Sequence, residues 1–445
     1  MTRTAITTRS AGPDRDDGID RQSAPRRSGT SRWSRPLGRL LGVAVVVAFL
    51  SGCWEQVGFG PEHRRFNDAE QALTRENVAE LSEEWTVALP AGTDSVSEPI
   101  VSQGRVFVAV RRSHSADVRA VNLHNGVTAW DRNLISTSGT LTVGTLAPVA
   151  VSGNALWTAY SVGNLVGPPC TNELLRLDRS TGATISSETG SSVASSAVSA
   201  GNAVAYLEFP LDDQCESGPP RLVVRAADTL APLWTHDFPE QAPVDGPTIA
   251  GDQVFVTVGT TLYAFPLACT TPCTPTWTAS PGGGLANPVV GNGNEVFVQN
   301  DGDTGLVALD RHSGDVLWRV TSEPIGAMKT AVIGDTLYVV RSTELHAYTA
   351  SGCGAPICEP LWVGPLSGAG RPIVAAAGGV VYVGMDSGVV AFDAAGCGAP
   401  SCAPLVTLPT DGGLQEMSVA QGRLFVVIEA EDLAPFRLSS YAPPS

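Results

Sequence analysis

Cysteines are the most reactive side chains in this chain of 445 residues, and there are nine of them. Six form three close pairs: Cys269/Cys273, Cys353/Cys358 and Cys397/Cys402. Thiols so spaced either bridge the mouth of a tight hairpin or act as metal ligands. The pairs in CGAPIC and CGAPSC would together offer four thiolates to zinc. Disulfides are the preferred reading, because an exported chain meets oxidising conditions and equivalent turns of adjacent repeats need not converge. Cys170 and Cys215 each lie in a long insertion, in neighbouring repeats, and a bridge between them is expected. Sequence alone leaves other connectivities open.

The remaining chemistry is sparse. His63, His114, His124, His236, His312 and His346 include no pair at helical metal spacing and no His-Glu-x-x-His pattern. His124 and His312 fall inside hairpin-turn sequences and read as solvated. No Gly-x-Ser-x-Gly elbow or Gly-rich phosphate loop is present. Glu208, Asp212 and Asp213, beside Cys215, lack regular ligand spacing and read as surface charge, with calcium binding as the rival. Glu429, Glu431 and Asp432 read as a solvated loop. No catalytic, cofactor-binding or metal residue is therefore expected.

These groups hang on a repeat. Its cleanest copy is Asn287 to Val320, NPVVGNGNEVFVQNDGDTGLVALDRHSGDVLWRV. Apolar residues alternate with small or polar ones in four short runs, the period of strands with a buried face. Between the third and fourth runs lies Asp310-Arg-His-Ser-Gly314. Asp can bond the backbone two residues on and Gly accepts positive φ, so this is a hairpin turn. A Gly before the second strand recurs at Gly104, Gly153, Gly201, Gly251, Gly293, Gly334, Gly378 and Gly422. A fourth-strand Trp recurs at Trp130, Trp234, Trp277, Trp318 and Trp362, with Ser186 and Val406 in two weaker copies. The last copy, from Gln415 to Ser445, has only three strands, and one Trp-bearing strand, around Trp85, lies before the first copy. The prediction is an all-β, eight-bladed propeller of four-stranded antiparallel blades over 85–445, closed by that N-terminal strand, which removes two open sheet edges. The large rings are expected to pack between blades. Copies one to three are the longest, and His114 to Asp117, Leu165 to Asn172 and Leu211 to Pro220 are read as their insertions, surrounding a recognition face.

Ahead of the ring, residues 1–52 carry nine Arg and four Asp, and the segment up to residue 38 reads as disordered. Leu40 to Leu50 is too short for a bilayer-spanning helix, which needs about 20 residues. A basic flank, an apolar core and small residues spell an export signal. Its end, Leu50-Ser51-Gly52-Cys53, matches the lipobox in which the Cys thiol is acylated; an ordinary signal peptide with a chance Cys is the alternative. Cleavage there removes a net +5 and takes the formal charge from −16 to −21. So acidic a chain repels phosphate backbones, which disfavours nucleic-acid binding. Residues 53–84 read as a lipidated lead-in, with Thr74 capping a short helix through Leu81.

The lead-in residues Arg65-Phe66-Asn67, Ala72-Leu73-Thr74, Asn77-Val78, Leu81 and Trp85, together with the Asp-x-x-x-Gly turn before the Trp, resemble PQQ-binding-like β-propeller proteins over residues 62–445. The resemblance implies the propeller fold. Its lipoprotein members include the propeller subunit of the outer-membrane assembly machinery, and its redox members are quinoprotein alcohol dehydrogenases. Those enzymes carry a disulfide between adjacent cysteines and a calcium site beneath the cofactor, and no Cys-Cys dipeptide occurs here. The expectation is a monomeric, non-catalytic binding or scaffold lipoprotein without cofactor. It is anchored through Cys53 on the extracytoplasmic face of a bacterial membrane and binds a protein or an extracellular polymer. A PQQ-dependent oxidoreductase and a ligand-sensing propeller are the alternatives.

Overall fold

Eight short, strongly β-patterned units give eight separate antiparallel sheets in the computed structural model. It describes residues 52–139, 141–164, 167–190, 192–194, 197–210, 218–240, 242–300, 305–320, 330–341, 343–367, 372–430 and 435–444, all within one unit, Phe49–Ser445. Residues 1–51 of the expected leader, residues 211–217 of the third expected insertion with Asp212, Asp213 and Cys215, and Glu431 and Asp432 lie outside those residues, as does the side chain of Cys170.

Blade 1 shows the plan. An innermost strand, in two pieces Thr93–Val96 and Ile100–Ser102, pairs with Arg105–Arg112, which pairs with Ser115–Asn122 and then with the outermost strand Thr128–Ser136. Blades 2 to 7 follow over 141–190, 192–237, 244–279, 285–320, 331–365 and 373–409. Blade 8 takes Gly412–Ala420, Arg423–Ala430 and Arg437–Ala442 from the end of the chain and Ser82–Ala88 from the beginning. Trp85 lies opposite Ser440 there, 6.1 Å between ring centroids from Phe425. The closure expected from the displaced Trp-bearing strand is therefore present. Innermost strands have one unpaired edge, towards the axis, so Pro99, Pro148, Pro247 and Pro288 at or between their pieces remove no ladder bond the sheet needs.

Apolar side chains pack between neighbouring blades rather than within one. Val224 and Trp234 of blade 3 share a cluster with Val254 and Phe265 of blade 4, for example. Antiparallel order also sorts the connections into two ends of the ring. One end, here the turn face, carries the innermost-to-second turns and the third-to-outermost hairpins. The opposite end, the loop face, carries the second-to-third connections and the crossings between blades.

Two expectations change on this scaffold. His114 to Asp117 is no extra loop: Ser113 and His114 make the turn, and Arg112 pairs with Ser115. The extra residues of blade 1 lengthen its strands. The same happens in blade 2, where Ala155–Asn164 and Gly167–Asp178 form one long hairpin towards the loop face. Pairing satisfies backbone groups that a loop would leave to water. Secondly, the expected helix after Thr74 shrinks to a 3₁₀ turn at Val78–Glu80. The Asn77 side chain accepts the Thr74 N–H and donates to the Ala72 carbonyl, which turns the chain before an α-helix can propagate. Val78 and Leu81 are nonetheless buried, as their spacing suggested.

Candidate functional site: the axial channel and its plug

A ring of eight innermost strands leaves an axial channel whose wall is a row of unpaired backbone groups. Residues 54–67 fill the turn-face end of that channel and meet the blades in order. The N–H of Val101 in blade 1 donates to the Trp54 carbonyl, and Val151 in blade 2 to Glu55. Gln56 exchanges two side-chain bonds with the backbone of Ser199 in blade 3. Ile249, Val290, Val332 and Ala376, in blades 4 to 7, donate to the carbonyls of Pro61, Glu62, Arg64 and Arg65. Asn67 Nδ2 donates to the Val419 carbonyl of blade 8 at 2.8 Å. Phe66–Asn67 also lies parallel to Ile373–Ala377. The segment then leaves the axis: Glu70 accepts the Gly422 N–H at 2.7 Å, and the chain continues into the closing strand. Expected only as a lead-in, it is the hub of the ring.

The plug is held by a buried polar cluster. Glu98, from the break in the blade 1 innermost strand, accepts Trp54 Nε1 at 2.6 Å and the Gly58 N–H at 2.9 Å through one oxygen. Its other oxygen faces Arg65 Nη2 at 2.7 Å. Arg65 Nε donates to the Val374 carbonyl, so charge and backbone are both answered inside the ring. The chain bends tightly here, with Phe59, His63 and Arg65 all at positive φ. His63 meets the Thr248 hydroxyl through Nδ1. Burial outweighs the attraction of Glu98 and pushes its imidazole down to about 4, so it is neutral near pH 7.

Above the plug, towards the loop face, lies a cavity of about 150 Å³. Val57 forms its floor, and Ser95, Glu98, Leu146, Pro148 and Glu416 its walls. PQQ is a flat tricarboxylate. The described lining holds no arginine or lysine to meet its carboxylates directly, and Glu98 and Glu416 would face them only through a cation such as Ca²⁺.

Other sequence-level candidates disperse. His124 and His312 sit exposed in their turns, as expected. His236 packs on Phe238 and Phe265 and bonds the Cys273 carbonyl at 2.7 Å. Glu208 pairs across to Arg221 within blade 3. Cys269–Cys273, Cys353–Cys358 and Cys397–Cys402 are bonded, with Cα atoms 5.7, 5.7 and 5.5 Å apart, which uses up the thiolates that a zinc site would need. No group of three or more His, Cys, Asp or Glu is placed to hold a metal among the described residues. Cys53 is free and partly exposed, with Gln421 Nε2 3.5 Å from its sulfur.

Each bonded turn clasps the preceding blade. Cys358 and Cys402 donate their N–H groups to the carbonyls of Arg319 and Val363, and Cys273 does the same to Thr235. The residue before each acceptor is the outermost-strand Trp, and those bonds cover part of a sheet edge.

Residues 220–427 match the family described as outer membrane protein assembly factor BamB. No curated protein sequence matches the chain. Among solved structures, quinohemoprotein alcohol dehydrogenase from Comamonas testosteroni is similar with a TM-score of 0.62 at 13% identity, covering 88% of this chain and 82% of that one. BamB from Moraxella catarrhalis aligns with a TM-score of 0.54 at 16% identity, over 81% of this chain and 97% of that one. A europium-containing methanol dehydrogenase aligns with a TM-score of 0.59 at 11% identity, over 88% and 98%. At such identities the likeness is one of fold.

Proposed function

We propose that this PQQ-like propeller repeat protein is an extracytoplasmic binding module, a monomer held to a bacterial membrane by a lipid on Cys53, whose loop face takes a protein partner. The single observation that carries the reading is the plug. The chain's own residues 54–67 occupy the turn-face end of the channel, bonded to every blade, so the channel is closed at that end. The loop face keeps the cavity and the lengthened hairpins of blades 1 and 2. The match of 220–427 to an assembly factor favours a protein as the occupant, and an extracellular polymer is the rival. The net charge near −21 after cleavage argues against nucleic acid.

The test is capture from solubilised membranes with the lipidated protein and with a variant in which residues 161–172 are replaced by a two-residue turn. The reading expects the variant to lose the proteins that the parent retains. Equal capture by both would move the binding face elsewhere. Similarity in fold to quinohemoprotein dehydrogenases supports the second reading, a redox enzyme. Dye reduction dependent on an added primary alcohol, which is oxidised to the aldehyde in the presence of PQQ and Ca²⁺, would establish it, and its absence would remove it.

A further inference from the structure

We infer that the turn face lies flat against the lipid surface, with aliphatic side chains of the outermost strands entering the bilayer interface. The inference rests on the reading of Cys53 as lipidated, and three further observations extend it. The first is the missing tether. Trp54 follows Cys53 directly, is fully buried, and exchanges two backbone bonds with Val101 at 2.8 and 2.7 Å. A lipid on Cys53 would thus be joined to the body of the ring with no flexible residues between them. The second is position. Cys53 sits beside Gln421, in the innermost-to-second turn of blade 8, so the anchor leaves from the turn face.

The third is where the exposed apolar side chains lie. Ile185, Leu233, Leu317, Leu361 and Leu405 occupy the position just before the Trp, Ser or Val landmark in blades 2, 3, 5, 6 and 7. They are between 37% and 55% exposed. Every exposed large hydrophobic among the described residues is in a third-to-outermost hairpin or at the start of an outermost strand, all at the turn face. An aqueous rim would carry polar residues at these positions, as blade 8 does with Glu84. Repeated aliphatics around the ring instead form a band that a lipid interface accepts. Acidic turn residues such as Asp178, Asp228 and Asp310 lie between them, so attraction to anionic lipid is not the driving term, and neutral lipid suffices.

The experiment compares the lipidated chain in phosphatidylcholine vesicles with the full chain bearing Cys53→Ser in solution. Mass spectrometry first reports whether Cys53 of the parent is acylated. Hydroxyl-radical footprinting then reads side-chain oxidation. The expected result is at least fivefold protection of Leu233, Leu317 and Leu361 in vesicles, with Leu134 and Ile135, towards the loop face of blade 1, unchanged. Acylated Cys53 with equal oxidation at both ends would overturn the docking and leave the anchor standing. A Cys53 without acyl chains would overturn the anchor, and the docking with it.

Discussion

Burial in the plug constrains the ionisation of His63. Its folded value of about 4 lies below the ordinary 6.5, so the unfolded chain binds the proton more tightly. Stability from this group is fully present above pH 6.5 and is lost as pH falls towards 4, up to about 3 kcal/mol. Urea unfolding of the parent at pH 7.5 and pH 4.5 will show this loss. His63→Asn, which tolerates the positive φ, should lack that part of the pH dependence. An identical slope in both proteins would place the acid sensitivity elsewhere.

At the scale of the element, the hairpin glycine and the neighbouring blade's Trp form one device. In blade 5, Asp310 Oδ1 accepts the N–H groups of His312 and Ser313, and Gly314 takes φ +78°. The Trp277 ring of blade 4 lies on that glycine and donates Nε1–H to the Arg311 carbonyl at 2.9 Å. A Cβ on Gly314 would stand 2.6 Å from the ring, whereas Gly104, at φ +75°, has open space. Gly104→Ala should therefore cost about 1 kcal/mol from backbone strain alone, and Gly314→Ala about 2–4 kcal/mol because the ring must move as well. Denaturant midpoints of the two variants measure the difference, and equal losses would reduce the device to a backbone effect. Where the Trp is replaced by Ser186, the next blade's turn carries Leu230 in the glycine's place, at φ +63°. Leu230 packs with Trp157 instead. Val406 replaces the Trp of blade 7 because blade 8 has no hairpin to receive one: its outermost strand comes from the start of the chain.

For the whole molecule, the plug couples all eight blades. Strand-to-strand closure joins only blade 8, but residues 54–67 bond to each innermost strand. Glu98→Leu would strip Arg65 of its buried partner and Trp54 Nε1 of its acceptor, at a cost of about 3–5 kcal/mol. The loss should appear as a lower midpoint of one cooperative transition, seen alike by tryptophan fluorescence and far-ultraviolet circular dichroism. A separate early transition in fluorescence alone would mean that the plug unseats while the ring survives.

The strand repeat, the eight blades, the hairpin turns and the borrowed strand at Trp85 are all legible in the amino-acid order. Those features are written in local periodicity, in glycine and Asp chemistry, and in a ring residue at a fixed offset, all of which act within one blade or between neighbours. It did not reveal the plug, because residues 54–67 follow no strand or helix period. The contacts there answer groups distant in sequence, from Val101 opposite Trp54 to Val419, which Asn67 answers from the other end of the chain. Likewise, the spacing that suggested insertions at His114 and Leu165 could not distinguish a loop from a longer hairpin. Only the closed ring, by creating an axis lined with unpaired N–H groups and two unlike ends, decided where the N-terminal segment must run and which end of the channel it closes.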